Sequence, residues 1–289
     1  FMGSDFNAFI DHTKNSVILD DGEYAILSRD AYVVKNVLSK DEVTKPITKI
    51  EWDNETSKKG GYPHYMLKEI YEQPQTISTA LDLEASGLDD IVDLIAKSEN
   101  VYLLGVGTTF YVAKYAKYIF SQLAQEFFPS ISSDEFLALA NVDKRSLVFS
   151  ASQSGETFDT LSALKYAKSK GARTAAVVNV MGSSIARLVD KVILQGSGPE
   201  ICVISTKAAL SQMVILTLLA MKLALKKKVI TRKTYKSHLQ SLRELPEIIE
   251  GVLNERSGFI HRLASKYSGT RNWLYLGRGI YYPIALEAA

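Results

Sequence analysis

Ser146-Leu147-Val148-Phe149-Ser150-Ala151-Ser152-Gln153-Ser154-Gly155-Glu156-Thr157 is the stretch whose reading decides the fold. Ser146–Phe149 is a short apolar run that suits a buried strand. Asp159–Ala167 follows, with Leu161, Leu164 and Ala167 at helical spacing. A strand that enters a polar, glycine-bearing turn and then a helix is a common way to build an anion site. The first turn of a helix has N–H groups without intrahelical partners, and the helix dipole adds partial positive charge there. Ser152, Ser154 and Thr157 set three hydroxyls around that helix end, and Gly155 lets the backbone come close. No Lys or Arg lies inside the turn, so a phosphate would be held by hydrogen bonds and the helix end, not by a point cation. The same residues also read as a plain helix N-cap, Ser or Thr followed by an acidic residue.

Working outward, the pattern is regular from about residue 76. Ile91–Ala96 reads as a helix, Val101–Leu104 as a strand, Gly105-Val106-Gly107-Thr108-Thr109 as a turn and Phe110–Leu123 as a helix. Further strands are expected over Thr174–Val180 and Lys191–Leu194. Strands alternating with helices predict an α/β fold with a parallel sheet and right-handed crossovers. Ligands of such sheets bind beyond the carboxyl ends of the strands, where both hydroxyl-bearing turns would lie. Gly105-x-Gly107 is not a dinucleotide fingerprint, because the third glycine position is Phe110 and no acidic residue ends a second strand in the right place. No G-x-x-x-x-G-K-[ST] occurs either, which argues against a P-loop.

A third polar cluster, Gly198-Pro199-Glu200-Ile201-Cys202-Val203-Ile204-Ser205-Thr206-Lys207, precedes the most apolar run, Ala208–Leu225. Ser205 or Thr206 is expected to cap that helix. Lys207 reads either as a cation near a phosphate or as a first-turn surface lysine. The apolar run carries Ser211, Gln212, Thr217 and Lys222, so a buried helix is expected and not a membrane span.

Composition bounds the remaining classes. The 289 residues suit one large or two medium domains, and 46% hydrophobic with 23% charged residues is ordinary for a globular protein. A net charge of +2 gives no argument for nucleic acid, and Lys226–Lys228 reads as the solvated end of a helix. The single cysteine, Cys202, excludes an internal disulfide, fits a reducing compartment and is read as structural. The four histidines are far apart, nothing has metal-ligand spacing, and no cofactor is expected. No signal peptide is visible. Near the start, Ser16–Leu27 reads as a hairpin whose two β-prone runs flank Asp21-Gly22. A polar connector, Ser39–Gly61, follows. Tyr62–Gln73 then reads as a Pro-started helix that stops before Pro74, with His64 and Tyr65 as possible site residues beside the simpler reading of a packed helix at a domain junction.

Three segments together carry a resemblance: K-G-G-Y-P-H-Y-M-L-K-E-I-Y-E-Q-P, S-Q-S-G-E-T-F-D-T-L and G-P-E-I-C-V-I-S-T-K. V-V-N-V-M-G-S-S-I-A-R and L-G-R-G-I-Y-Y-P-I-A-L-E fit the same pattern. With them the chain resembles the glutamine–fructose-6-phosphate aminotransferases (isomerising), the glucosamine-6-phosphate synthases, over nearly its whole length. The long first segment separates this family from other sugar-isomerase (SIS) proteins.

The resemblance implies a three-layer SIS domain over residues 81–232. A glutaminase-domain tail would precede it at 1–45, a linker would occupy 46–80, and the beginning of a second SIS domain would follow at 233–289. It implies that Thr108, Thr109, Ser152, Gln153, Ser154 and Thr157 hold the phosphate and nearby sugar hydroxyls of fructose 6-phosphate or glucosamine 6-phosphate. Val203, through its backbone, and Ser205 would close over the sugar. Glutamine would be used by a glutaminase domain of which only the tail is present. A cytoplasmic homodimer is implied, with neither nucleic acid nor membrane as partner. Val106-Gly107-Thr108-Thr109 stands where the family often has Cys-Gly-Thr-Ser, and Cys202 where it usually has Gly. The family's imine-forming lysine, proton-moving carboxylate and ring-opening histidine follow the Y-P-I-A-L-E segment. The expectation is therefore a chain cut at both ends that binds sugar phosphate and carries none of these catalytic groups. Glu287 reads as a helix residue, not as the family's base. Two alternatives stand beside this reading: a SIS-group deglycase or isomerase without glutaminase, and a non-catalytic sugar-phosphate sensor.

Overall fold

The computed structural model describes residues 1–3, 9–10, 12–50, 59–85 and 87–289. The chain divides into two compact units, 1–60 and 61–289.

In the first unit, β1 (Asn15–Ser16) pairs antiparallel with β4 (Thr48–Lys49), and β2 (Glu23–Leu27) pairs antiparallel with β3 (Tyr32–Asn36). The hairpin predicted over Ser16–Leu27 is therefore not the one formed. The bend at Asp21-Gly22 exists, with Gly22 at φ 83° and the Glu23 N–H donating to the Asp20 carbonyl at 3.1 Å. Val17–Leu19 adds no strand, however, and Glu23–Leu27 takes its partner from the downstream side. The Val37 N–H reaches the Gly22 carbonyl at 2.7 Å and extends that pairing to the bend. Part of the predicted connector (51–58) and parts of the predicted glutaminase tail (4–8 and 11) lie outside the described residues.

The second unit begins with α1 (Tyr65–Tyr71) and α2 (Gln73–Asp82). α1 ends before Pro74, as expected. Pro74 then falls in the first turn of α2, where its missing N–H costs nothing. There follow α3 (Asp89–Ala96), β5 (Asn100–Gly105) and α4 (Thr108–Ile119), the last running into a wide π turn, Phe120–Ala124. Next come β6 (Ser130–Ser132), α5 (Phe136–Leu139), β7 (Ser146–Ser152), α6 (Phe158–Ser169), β8 (Arg173–Val178), α7 (Ser184–Leu188) and β9 (Lys191–Leu194). α8 (Lys207–Lys226), α9 (Arg232–Arg243), α10 (Leu245–Tyr267) and α11 (Tyr281–Ala288) complete the chain.

The five strands β6-β5-β7-β8-β9, in that spatial order, form an all-parallel sheet. Every residue of β7 is buried, as befits a central strand covered on both faces. The alternation of its side chains divides the core. Leu147, Phe149 and Ala151 join Val101, Leu103, Ala175 and Val177 under α2, α3, α4 and α8. Val148 joins Leu104, Ala176 and Val178 under α5, α6 and α7. The period of two thus yields the predicted three layers.

α8 is the axis of the first layer. Ile215, Leu216, Leu218, Leu219, Met221 and Leu223 are fully buried in it. By length and composition it could cross a membrane, yet most of it is buried within the protein. Several of its polar groups have local partners, although Ser211 Oγ and Gln212 Oε1 are buried without one. Gln212 Nε2 donates to Gln195 Oε1 at 2.9 Å, and the Thr217 and Tyr115 hydroxyls lie 3.0 Å apart. Lys222 and Lys226 pair with Asp89 and Asp93 on α3. Beyond residue 232, Tyr235 and Leu239 of α9 join the same core, and the Tyr235 hydroxyl donates to Glu84 at 2.8 Å.

Strand order fixes where a ligand can enter. The chain steps from β5 out to β6, then returns past β5 to β7 and continues to β8 and β9. The helices that leave β5 and β7 therefore lie on opposite faces, and the carboxyl ends of these two strands are the switch point at which open α/β sheets form their ligand crevice.

Candidate functional site

Both hydroxyl-bearing turns leave that crevice. After β5, Gly105 is the only residue type that fits: a Cβ there would sit 2.3 Å from the Thr109 carbonyl carbon and oxygen. Gly107 takes φ 59°, and α4 starts at Thr108. The Thr109 hydroxyl closes the turn, donating to the Val106 carbonyl at 2.9 Å and accepting from the Val106 N–H at 3.0 Å. The Thr108 hydroxyl faces elsewhere and donates to Glu287 Oε1 on α11 at 2.8 Å.

After β7, the Ser152 hydroxyl accepts the Gly155 N–H at 3.0 Å, and the Ser154 hydroxyl accepts the Glu156 N–H at 3.2 Å. These bonds curl the backbone into the turn, with Gly155 at φ 67°. The turn is bolted to the loop after β8. Ile185 N–H donates to the Gly155 carbonyl at 2.9 Å, Asn179 N–H to the Gln153 carbonyl at 3.2 Å, and Ser184 N–H to Glu156 Oε1 at 2.8 Å. Thr157 occupies the N-cap position of α6 but makes no side-chain cap bond. The simpler N-cap reading is therefore not what the residue does. Among the described residues, the Phe158, Asp159 and Thr160 N–H groups have no backbone partner. Ser152 is buried, whereas Gln153, Ser154 and Thr157 are half-buried at the mouth.

The third segment differs from its sequence-based expectation. Neither Ser205 nor Thr206 caps α8. The cap is Glu200, whose Oε1 accepts the Thr206 N–H at 2.9 Å and the Ala208 N–H at 3.1 Å, while Oε2 accepts the Ser205 hydroxyl at 2.7 Å. Lys207 is neither a surface lysine nor free for a phosphate. It is buried, with Nζ 2.6 Å from Glu72 at the end of α1. The Glu69 carboxylate accepts the Ile201 and Cys202 N–H groups at 2.6 and 3.1 Å. Burial pushes the Glu200 carboxyl above the ordinary glutamate value, the nearby Glu69 adds to the rise, and its own hydrogen bonds oppose it. Glu69, Glu72, Glu156, Asn179 and Glu200 were not singled out as site residues from sequence. The segment K-E-I-Y-E-Q-P was visible, but its carboxylates look like any helix surface until the loop they hold is known. His64 flanks α1 as its N-cap residue without a side-chain cap bond.

Glu287 supplies a pH test. Burial raises its carboxyl above the ordinary value, opposed by the Thr108 hydrogen bond. A carboxyl raised in the folded state stabilises the fold most below its unfolded pKa. That contribution is lost as pH rises through the folded value. Docking of α11 on α4 should thus weaken as pH rises from the acid range towards neutrality. Glu287→Gln should flatten that dependence, as read by amide exchange of α11 across pH.

Comparison with known proteins accords with this geometry. A family model described as SIS domain matches residues 94–222, from the end of α3 into α8, and so takes in the turns after β5 and β7 and the Gly198–Lys207 segment. Fold and turns define a SIS-domain protein. The chain is 39% identical over its full length to the isomerizing glutamine–fructose-6-phosphate aminotransferase of Thermococcus kodakarensis, and 35% identical to that of Thermus thermophilus. It spans about half the length of these relatives, 48% in both cases. The C-terminal domain of glucosamine-fructose-6-phosphate aminotransferase from Francisella tularensis superposes with a TM-score of 0.75 at 33% identity, over 80% of this chain and 67% of that one. Glucosamine-6-phosphate deaminase from Thermotoga maritima shares the fold alone, with a TM-score of 0.55 at 19% identity over 78% and 65% of the two chains. The chain belongs to the glutamine–fructose-6-phosphate aminotransferase family.

Proposed function

We propose that this chain is the sugar-phosphate-binding part of an isomerising aminotransferase that makes glucosamine 6-phosphate from fructose 6-phosphate and glutamine. One observation carries the reading. The sheet's strand order brings two hydroxyl-rich turns and two helix N-termini to a single crevice, and the α6 end keeps N–H groups free for an anion. The phosphate sits on Ser152, Gln153, Ser154 and Thr157 and the start of α6, with Thr108 and Thr109 on the β5 side. Val203 and Ser205 face the sugar. The Thr109 and Ser152 hydroxyls serve mainly by shaping their turns, and Thr157 offers a free hydroxyl directly.

The same reading makes residues 1–45 a glutaminase tail, 46–80 a linker, 81–232 the first SIS domain and 233–289 the start of a second. It also implies a cytoplasmic homodimer; the single cysteine is compatible with a reducing compartment.

Calorimetry tests the proposal. Fructose 6-phosphate and glucosamine 6-phosphate should bind, and unphosphorylated fructose should not. Thr157→Val removes one hydroxyl and no cap bond, so it should weaken fructose 6-phosphate about tenfold without lowering thermal stability. Equal weak heats for fructose 6-phosphate and fructose would remove the phosphate site.

A further inference from the structure

The segment that would face the sugar hangs between two carboxylates. Glu69, from α1, takes the N–H groups of Ile201 and Cys202. Glu200 takes the Ser205 hydroxyl and the N–H groups of Thr206 and Ala208. Between these anchors lie Val203 and Ile204. Among the described residues, neither peptide has a hydrogen-bond partner, and Val203 is fully exposed. The arch therefore presents two unbonded peptide groups at its top, and both of its feet are fixed by acids.

Glu69 is unusual for a helix residue. It is 1% exposed, and its second oxygen, Oε2, is buried without a partner. Burying a carboxylate with half its acceptors unused costs free energy, so a purely apolar residue would make a more stable α1. What the carboxylate supplies is the position of two consecutive peptides more than a hundred residues away. Two hydrogen bonds to one carboxylate oxygen, 2.6 and 3.1 Å long, tie these two peptides of the arch to α1.

We infer that Glu69 is a positioning residue for sugar recognition: its carboxylate holds the Ile201–Cys202 backbone so that the Val203–Ile204 peptides face a bound sugar. This rests on the sugar-phosphate reading above. It assigns to α1 a part in discriminating the sugar from its phosphate, because the phosphate turn after β7 has its own bolts through Gly155, Glu156 and Asn179.

Two readouts on the 289-residue chain test this, one of them independent of ligand. Cys202 is the only cysteine, so its rate of alkylation reports the mobility of the arch. Glu69→Ala should raise that rate several-fold. It should also weaken fructose 6-phosphate about tenfold or more, leaving the affinity for inorganic phosphate within about twofold. Glu69→Gln keeps an amide oxygen for the two N–H groups and should restore both readouts to near wild type. The inference is overturned if Glu69→Ala alkylates and binds as the wild type does. It is also overturned if Glu69→Ala loses fructose 6-phosphate and inorganic phosphate equally, or if Glu69→Gln fails like Glu69→Ala. Should the wild type bind no sugar phosphate at all, the proposed function falls, and the Cys202 rate still decides whether Glu69 positions the arch.

Discussion

Gly155→Ala is expected to destabilise the second unit by about 2–4 kcal/mol and to abolish sugar-phosphate binding. Two costs combine. At φ 67° an alanine pays about 1–2 kcal/mol that glycine does not. Its Cβ would also lie 2.0 Å from Ser183 Oγ and 2.5 Å from Ser183 Cβ. Ser183 is buried and leads into α7, so it has little room to yield. Either the turn opens or α7 moves, and both would pull Ser152, Ser154 and Thr157 out of register. Adding Ser183→Gly removes the opposing atoms and should recover the steric part, leaving the backbone part. Thermal unfolding of the single and double variants separates the two. A Gly155→Ala protein as stable as the wild type would contradict the geometry of the turn.

The second large effect is expected at the buried pair between α1 and α8. Glu72→Ala leaves the Lys207 ammonium, which is almost wholly buried, without its 2.6 Å partner. Breaking such a pair from one side costs about 3–5 kcal/mol when both groups are buried. Glu72 keeps about a third of its exposure and also lies 3.3 Å from Lys68, so about 2–3 kcal/mol is expected here. Lys207→Met should cost much less, since it strands only the more exposed partner and fills the same space with apolar atoms. Urea midpoints of the two variants would show the asymmetry. The opposite order would mean that the pair is held by the acid's surroundings rather than by the lysine's burial.

These two sites also mark how far the sequence could be read. The β7 stretch was legible because a central parallel strand is apolar without interruption and its turn needs glycine and hydroxyls, all local requirements. β6 was not, because Ser130-Ile131-Ser132 is a three-residue edge strand with a single apolar residue. The N-terminal hairpin was misassigned because Asp21-Gly22 marks a bend without saying which neighbour pairs across it, and β3 is the partner. The strand–turn–helix course of Ser146–Ala167 was readable in outline. The burial of Glu69 and Lys207 was not, since it depends on α1 meeting a loop more than a hundred residues later in the chain. The cap of α8 misled for a related reason. A glutamate several residues upstream folds back further than the local serine and threonine reach.

The cradle after β7 carries no lysine or arginine. Its pull on an approaching dianion comes from peptide dipoles, which fade within about a turn of helix. Capture would then proceed at the pace of unguided diffusion and change little with ionic strength. If this turn takes a dianion as proposed, added salt should change the rate at which it fills far less than it would for a cradle built on lysine or arginine.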